Sequence, residues 1–212
     1  YEDGLYFSWG NVTGHTGDDG YDFGTSNDGP YASTPGAALT GNIPTNGTYD
    51  AARHNMGSPC RMPTVGEFQE LNAQCDSEWT DEDGVAGRRF TSRINGNSIF
   101  FPASGYRSGT GLYFRGSYGY YWSASLGSAA DGYYLRFNSD GVNPANNNNR
   151  FNGFSVRAVQ HLPAGTNGDA KRWNTEGDYG IQTDAQGTDS RPARRISMRQ
   201  AAQGQQAIRA TL

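Results

Sequence analysis

The stretch 133-YYLRFNSDGV-142 alternates apolar and polar side chains with the period of a β-strand. Successive side chains of a strand point to opposite faces of its sheet, so Leu135 and Phe137 share one face. Tyr134 and Arg136 lie on the opposite face. The apolar face predicts contact with a core. The other face carries an aromatic ring and a cation, which share no chemical property. We expect this face to be exposed to solvent.

Other segments with strand character surround this stretch. Residues 120-YYWSASL-126 and 153-GFSVRAV-159 predict two further strands, the second of them closing the domain. The dipeptide Asn95-Gly96 separates 88-RRFTSRI-94 from 97-NSIFFPA-103, which is typical of a tight β-hairpin. A first strand is predicted at the amino-terminal side, over 4-GLYFSWGNV-12.

A short helix is predicted before these strands, over 48-TYDAARHNM-56. Either Thr48 or Asp50 can cap its start, and Gly57 supplies the left-handed residue past its end. Residues 13–47 are rich in Gly, Asp, Asn and Pro, and they predict a long loop with little regular structure.

A second helix is predicted over 61-RMPTVGEFQELNAQC-75. Thr64 and Glu67 have the spacing of a capping box, which fixes the helix start. Phe68 and Leu71 then fall on one face of the helix. Helices early in the chain and strands late in it predict an α+β fold.

The composition favours a loop-rich domain that contains β-structure. The chain of 212 residues has 30 Gly, 13 Tyr and 10 Phe. A net charge of −4 without a long basic run argues against nucleic acid as a partner. No apolar run has transmembrane length, so we expect no direct membrane insertion. Because Tyr1 is not preceded by Met, we expect a processed product or a domain of a longer protein.

Residues 161–212 differ in character from the preceding part. They are polar and contain few side chains able to fill a core. We interpret 1–160 as one domain and 161–212 as a polar tail that is extended or disordered alone, with a short helix near 195–209 as a candidate element.

The sequence contains no arrangement of residues typical of catalysis or of a metal site. The 3 His are scattered without metal-ligand spacing. The Asp-rich stretch 17-GDDGYDFGTSNDG-29 is a candidate for calcium, but it lacks the spacing of an EF-hand loop. We therefore expect no catalytic residue, no cofactor and no metal.

Five blocks of the chain resemble, in order, gut Bacteroides and phage proteins with a C-type lectin-like domain. More narrowly, they are similar to the variable proteins of diversity-generating retroelements. The resemblance covers residues 4–160. It implies a C-type lectin-like fold, with two short helices packed on a twisted antiparallel sheet and long loops. The blocks are 4-GLYFSWGN-11, 61-RMPTVGEFQEL-71, 95-NGNSIFFPASGYR-107, 120-YYWSAS-125 and 153-GFSVRAV-159.

The resemblance also implies a variable region, at about residues 116–153. In such systems a reverse transcriptase miscopies template adenines, so that Asn codons change to Tyr, Asp, Gly, Ser, Arg or Phe but not to Lys, Glu, Gln, Met or Trp. Residues 116–153 contain no Lys, Glu, Gln or Met, and their single Trp, Trp122, lies in one of the matching blocks. The candidate variable, ligand-binding positions are Tyr118, Tyr120, Tyr134, Arg136, Asn138, Asp140, Gly141, Asn143, Asn146, Asn147, Asn148, Asn149, Phe151 and Asn152.

The function implied by the resemblance is that of a hypervariable ligand- or receptor-binding module, displayed on a cell surface or a phage tail. Its partner would be a protein or glycan on another cell or host surface. Two alternatives remain: a non-variable lectin-like adhesin domain that binds carbohydrate or protein, and a structural module of a larger surface protein. The run Asn146–Asn149 is either a set of unmutated template codons or an ordinary polar loop.

Overall fold

The computed structural model describes residues 4–161, 171–173 and 181–182. It shows an α+β fold that consists mainly of small antiparallel sheets. The elements are two 3₁₀ helices (Pro30–Ser33 and Pro35–Ala38), α1 (Ala51–Met56), β1 (Cys60–Arg61), α2 (Val65–Gln74), β2 (Cys75–Glu82), β3 (Val85–Ser92), β4 (Ser98–Pro102), β5 (Tyr106–Ser108), β6 (Gly111–Tyr113), β7 (Gly119–Leu126), β8 (Asp131–Phe137), β9 (Val142–Asn149), β10 (Val159–His161), β11 (Lys171–Trp173) and β12 (Ile181–Gln182).

Both predicted helices are confirmed, and their caps are those that the sequence indicates. The Asp50 side chain accepts a hydrogen bond from the Arg53 backbone N–H at 2.9 Å, and Gly57 follows α1 with φ 77°. Thr64 and Glu67 form a complete capping box at the start of α2. Within the described residues, neither helix has the length and apolar composition that a membrane crossing requires.

One three-stranded sheet contains β2, β3 and β4. The hairpin predicted around Asn95-Gly96 is confirmed, because β3 pairs antiparallel with β4 from Gly87–Pro102 to Thr91–Ser98. β2 was not predicted, because its side chains are mostly charged or polar. Pairing with β3 along its whole length holds this strand in place.

A second three-stranded sheet contains β7, β8 and β9. The first two strands are the predicted ones, while β9 includes the asparagine run. The interpretation of that run as a loop is therefore wrong. Its backbone pairs with β8 from Asp131–Asn149 to Phe137–Val142, with one irregularity. Asparagine is a poor strand former, but backbone pairing on one side is sufficient to hold an edge strand.

The two faces of this second sheet pack on two different clusters of buried side chains. Leu135 and Phe137 lie against a cluster that also contains Phe68 and Leu71 of α2. The opposite face packs on the second cluster, which includes Trp122 from β7. Since β8 contributes to both clusters, the sheet is the central layer of the domain.

The segments predicted as the first and last strands form isolated bridges instead, apart from Val159, which begins β10. Phe7 and Phe154 form an isolated bridge, as do Tyr6 and His15. The second segment lies beside β7, where the Ser155 N–H donates to the Tyr120 carbonyl and the Trp122 N–H donates to the Ser155 carbonyl. The indole nitrogen of Trp122 donates to the Phe7 carbonyl at 2.8 Å.

A further sheet joins β1, β10, β11 and β12 in that order. The predicted domain boundary at residue 160 therefore falls within β10, and β11 and β12 lie beyond it. The remainder of the predicted tail, including the helix predicted near 195–209, lies outside the described residues.

Candidate functional site

The register of β7, β8 and β9 determines which candidate positions share a face. Tyr120 pairs with Arg136, and Trp122 pairs with Tyr134. Tyr134 in turn pairs with Asn146. Directly paired residues of an antiparallel sheet point to the same side. We call this side, which carries these five residues, the front face.

Two candidate positions on the front face are not exposed, which corrects the sequence prediction. Tyr120 is 6% exposed and Tyr134 is 3% exposed. The ring of Phe154 lies over both of them, with centroids 5.2 Å from Tyr120 and 4.8 Å from Tyr134. Tyr106 covers Tyr120 further, at 5.0 Å. Period-two alternation assigns these side chains to the correct face, but it does not reveal that a distant segment covers that face.

Phe151 and Asn152, two of the candidate ligand-binding positions, are also buried. Their segment turns back into the domain directly after β9. The Phe151 backbone N–H donates to the Asn27 side chain at 3.2 Å, and its carbonyl accepts from Ser8. The adjacent Arg150 guanidinium lies over the Trp9 ring. These contacts give residues 150–152 a structural role.

A group of aromatic rings lies next to the front face, and two of these rings are exposed. Tyr113 and Phe114 are 47% and 53% exposed. Tyr106 stacks on both, with centroids at 5.4 and 6.1 Å. Tyr118 lies 5.3 Å from Phe114, and the Arg136 guanidinium lies 4.8 Å over the Tyr118 ring. We call these five residues the aromatic surface.

Only Tyr118 and Arg136 of the aromatic surface belong to the predicted set. Tyr106, Tyr113 and Phe114 were missed because they precede the region that the resemblance marks as variable. A signal for them is present in the sequence. Tyr113 and Phe114 are adjacent large aromatic residues in a turn-rich segment between Gly111 and Gly116, where a core position is not expected.

The Phe114 ring is exposed to solvent, and the Phe114 backbone has an uncommon conformation. Its φ is 58°, in the left-handed region that large side chains rarely adopt. Neighbouring contacts enforce the turn, because the Phe114 carbonyl accepts from the backbone N–H groups of Ser117 and Tyr118. Gly105 packs below, where an added Cβ would lie 2.1 Å from the Tyr113 carbonyl oxygen. Backbone strain of this kind is concentrated at binding and catalytic sites.

The electrostatic character of the aromatic surface is weakly positive. Residues 84–130 contain no Asp or Glu. Within the described part of the chain, Arg136 contacts Tyr118 and Tyr120 and no carboxylate. Burial raises the pKa of Tyr120, and it raises the pKa of Tyr134 to about 12.

The remaining candidate positions form a turn and an edge strand. In the turn between β8 and β9, the Asn138 side chain accepts from the backbone N–H groups of Asp140 and Gly141, both at 3.1 Å. Along β9, Asn146 and Asn148 lie on the front face, whereas Asn147 and Asn149 lie on the opposite side. Asn143 pairs with Arg136 and thus lies on the front face. The predicted set is therefore not one surface.

The central carboxylate of the Asp-rich loop 17–29 forms hydrogen bonds within the protein. Asp19 accepts from the buried Arg107 guanidinium at 2.6 Å, from His15 at 3.0 Å and from the Tyr21 backbone N–H at 3.0 Å. These bonds anchor the loop to β5. Among the described residues, no three His, Cys, Asp or Glu side chains come together in a way that could hold a metal ion.

Comparison with known proteins adds one match. Residues 74–159 match a family model described as a domain of unknown function, DUF8237. The match extends from the end of α2 to the start of β10 and includes the whole aromatic surface. No curated protein and no solved structure gives a significant match.

Proposed function

We propose that this chain is a hypervariable ligand-binding module on a C-type lectin-like scaffold, displayed outside the cell on a cell surface or a phage tail. The observation that carries the proposal is the aromatic surface. Exposed Tyr and Phe rings, the Arg136 guanidinium and a row of amides lie beside a sheet whose two faces pack on buried clusters. Antibody paratopes combine the same types of side chain.

The sheet beneath this surface suits a protein whose contacts change while its fold is maintained. Leu135 and Phe137 fix one face of β8, and Trp122 and Phe154 stack at 4.1 Å on the other. The half-buried side chain of Arg136, on β8, and the exposed side chain of Asn143, on β9, project from this support. Their replacement leaves the two buried clusters intact.

The ligand would be a protein or a glycan on another cell or host surface. Tyr and Arg are the residues that most often dominate binding energy at interfaces, and amides add adaptable hydrogen bonds around them. Tyr113 and Phe114 precede the region proposed to vary, so they would form a constant part of the contact. Tyr118, Arg136 and Asn143 would form the changeable part.

The genomic neighbourhood tests the proposed variability. We expect a near-copy of the gene segment for residues 116–153 beside a reverse-transcriptase gene, with differences confined to adenines of the copy. Among related isolates, codons 118, 136 and 143 should differ, while those for Trp122, Leu135 and Phe137 should not. If the segment is identical in all isolates and has no template copy, the proposal falls in favour of a non-variable adhesin domain.

A displayed library tests the binding role separately. Tyr118, Arg136 and Asn143 would be randomised together and selected against purified surface proteins and glycans. Selected binders should lose affinity on Phe114→Ala, because the constant ring contributes contact area to each complex. The control is Asn149→Ala, on the opposite side of β9. Equal effects of these two changes would exclude the aromatic surface as the binding site.

A further inference from the structure

The contacts of Arg136 differ from those of other arginines in the domain. Arg107 pairs with a carboxylate at 2.6 Å, and Arg150 donates to a backbone carbonyl at 2.9 Å. Arg136 instead lies over the Tyr118 ring and donates to the Tyr120 hydroxyl. Within the described residues it contacts no carboxylate and no backbone carbonyl. The two rings therefore hold the guanidinium in place while most of its five N–H donors remain for an external acceptor.

Two amide groups beside Arg136 also have donors to spare. Asn143 pairs with Arg136 across the strands, and Asn146 lies on the same face. The backbone N–H of Ala145 donates to Asn143 Oδ1 at 3.1 Å, and that of Asn147 donates to Asn146 Oδ1 at 3.0 Å. These bonds engage the amide oxygens. In the described part of the chain, the two NH₂ groups have no acceptor and remain for a ligand.

The acidic side chains near this surface are used by their own turns. Residues 84–130 contain no Asp or Glu. The carboxylate of Asp140 accepts from the Asn138 amide at 3.0 Å, and that of Asp131 accepts from the Ser128 hydroxyl at 2.9 Å. The surface thus presents aromatic rings and hydrogen-bond donors. A ligand that complements it carries acceptors and a negative charge.

We propose that, in this version of the sequence, the aromatic surface binds an acidic oligosaccharide, with a carboxylate of the sugar on Arg136 and a pyranose ring on Tyr113 and Phe114. The inference rests on the proposed function, because it names the ligand class of the same surface. Arg136 is then the residue that determines the charge of the ligand. Since codon 136 is one of those proposed to vary, relatives with another residue there would bind ligands of a different charge.

The balance of donors and acceptors favours a sugar over an acidic peptide. A peptide backbone brings N–H groups that lose their water partners on binding unless the surface supplies acceptors, and the oxygens of Asn143 and Asn146 are already engaged. A sugar hydroxyl can accept from the amide NH₂ groups and turn its own hydrogen toward water. The C–H groups on the face of a sugar ring can pack on the negative faces of the half-exposed Tyr113 and Phe114 rings.

An oligosaccharide array tests the ligand class with the full-length chain. It holds sugars that contain uronic or sialic acids, each beside a neutral counterpart whose carboxylate is reduced to an alcohol, and it holds Glu-rich peptides. Acidic sugars should bind at least about tenfold more tightly than their neutral counterparts, because the charge-assisted hydrogen bonds are lost on reduction. Equal binding within the sugar pairs, binding to the peptides alone, or binding to none of the acidic sugars would overturn the proposal.

Substitutions of single arginines locate the carboxylate. Arg136→Gln should weaken binding of the acidic sugar by at least about tenfold and leave binding of its neutral counterpart unchanged. Arg136→Lys keeps the charge without the planar fork, so it should weaken binding less. Arg89→Gln is the matched control, because Arg89 lies on the first sheet and pairs with Glu78 and Glu82. Equal losses for Arg136→Gln and Arg89→Gln would contradict the proposal.

Phe114→Ala separates failure of this ligand assignment from failure of the proposed function. Both Phe114→Ala and Arg136→Gln should weaken binding of the acidic sugar, and both variants should melt like the wild type because neither side chain is in a buried cluster. If only Phe114→Ala weakens binding, the surface binds a ligand of another class, and the assignment to acidic sugars is wrong. If neither change affects binding, the ligand lies elsewhere, and the proposed function is wrong as well.

Discussion

The two three-stranded sheets differ in how they use the side chains that face solvent. In the sheet of β2, β3 and β4, exposed positions are tied to one another: Arg89 pairs with Glu78 at 2.9 Å and with Glu82 at 2.8 Å. In the sheet of β7, β8 and β9, Arg136 has only aromatic contacts within the described residues. The charged side chains on the surface of the first sheet pair with one another, while the second sheet leaves rings and amides available to a ligand.

The two sheets also differ in how regularly their strands pair. β2 and β3 pair without interruption from Cys75–Ser92 to Glu82–Val85. β7 and β8 lose register between Trp122 and Leu126, and β8 and β9 between Tyr134 and Arg136. Irregularities of this kind redirect side chains and are common next to functional sites. This difference supports the proposal that the second sheet carries the ligand-binding surface.

The largest expected effect comes from removing the ring that joins the two sheets. Phe137 is buried between Tyr121, Phe101 and Trp79. Phe137→Ala should lower the free energy of unfolding by about 3–5 kcal/mol, as large-to-small changes in cores do. Arg136→Ala, one residue away on the opposite face, should lower it by less than about 1 kcal/mol. Urea denaturation of both variants measures the difference, and similar losses would mean that the faces are assigned wrongly.

Tyr134→Ala should have the next largest effect. We expect a loss of about 3 kcal/mol, because the ring packs between Tyr120, Trp122 and Phe154. Tyr134→Phe keeps the ring and loses only the hydroxyl group, so it should cost about 1 kcal/mol. Thermal melts of the two variants decide the matter. If Tyr134→Ala melts like the wild type, the ring is exposed after all and belongs to the binding face.

Alkaline pH should weaken the second sheet through the same residue. Burial raises the pKa of Tyr134 from 10.0 to about 12. A raised folded-state pKa means that the stabilisation is complete below pH 10 and is lost as the pH rises toward 12. Stability measured by urea denaturation should therefore fall between these values, and it should fall less in Tyr134→Phe. Identical pH profiles would show that Tyr134 is not the group responsible.

The exposed ion pairs of the first sheet should contribute least. Arg89→Ala should lower stability by no more than about 1 kcal/mol, since exposed pairs are weak. Because salt screens exposed charges, this loss should shrink further in 1 M NaCl. Arg136→Ala serves as the comparison and should show no such salt dependence. A large, salt-insensitive loss at Arg89 would indicate that its aliphatic stem, and not its charge, stabilises the sheet.

Local signals in the sequence predicted the elements that depend on neighbouring residues. Both helices and the hairpin around Asn95-Gly96 follow from capping residues and turn chemistry, which act within a few positions. The burial of Leu135 and Phe137 follows from alternation alone. These predictions needed no knowledge of distant contacts.

Predictions that depend on distant segments were less successful. Tyr134 is buried because Phe154, twenty residues further along the chain, covers it. The asparagine run is a strand because β8 supplies its backbone partners, against its own propensity. The aromatic surface forms because residues 105–114 fold against the start of β7, and no pattern within either segment indicates that contact.

Two displayed libraries test the central claim, that a changeable surface rests on a fixed sheet. One randomises Tyr118, Arg136 and Asn143. The other randomises Tyr120, Tyr134 and Leu135, which belong to the same sheet and are buried. Resistance to protease reports the folded fraction of each library. We predict that most members of the first library stay resistant and that most members of the second are cleaved; equal survival of the two libraries would contradict the account.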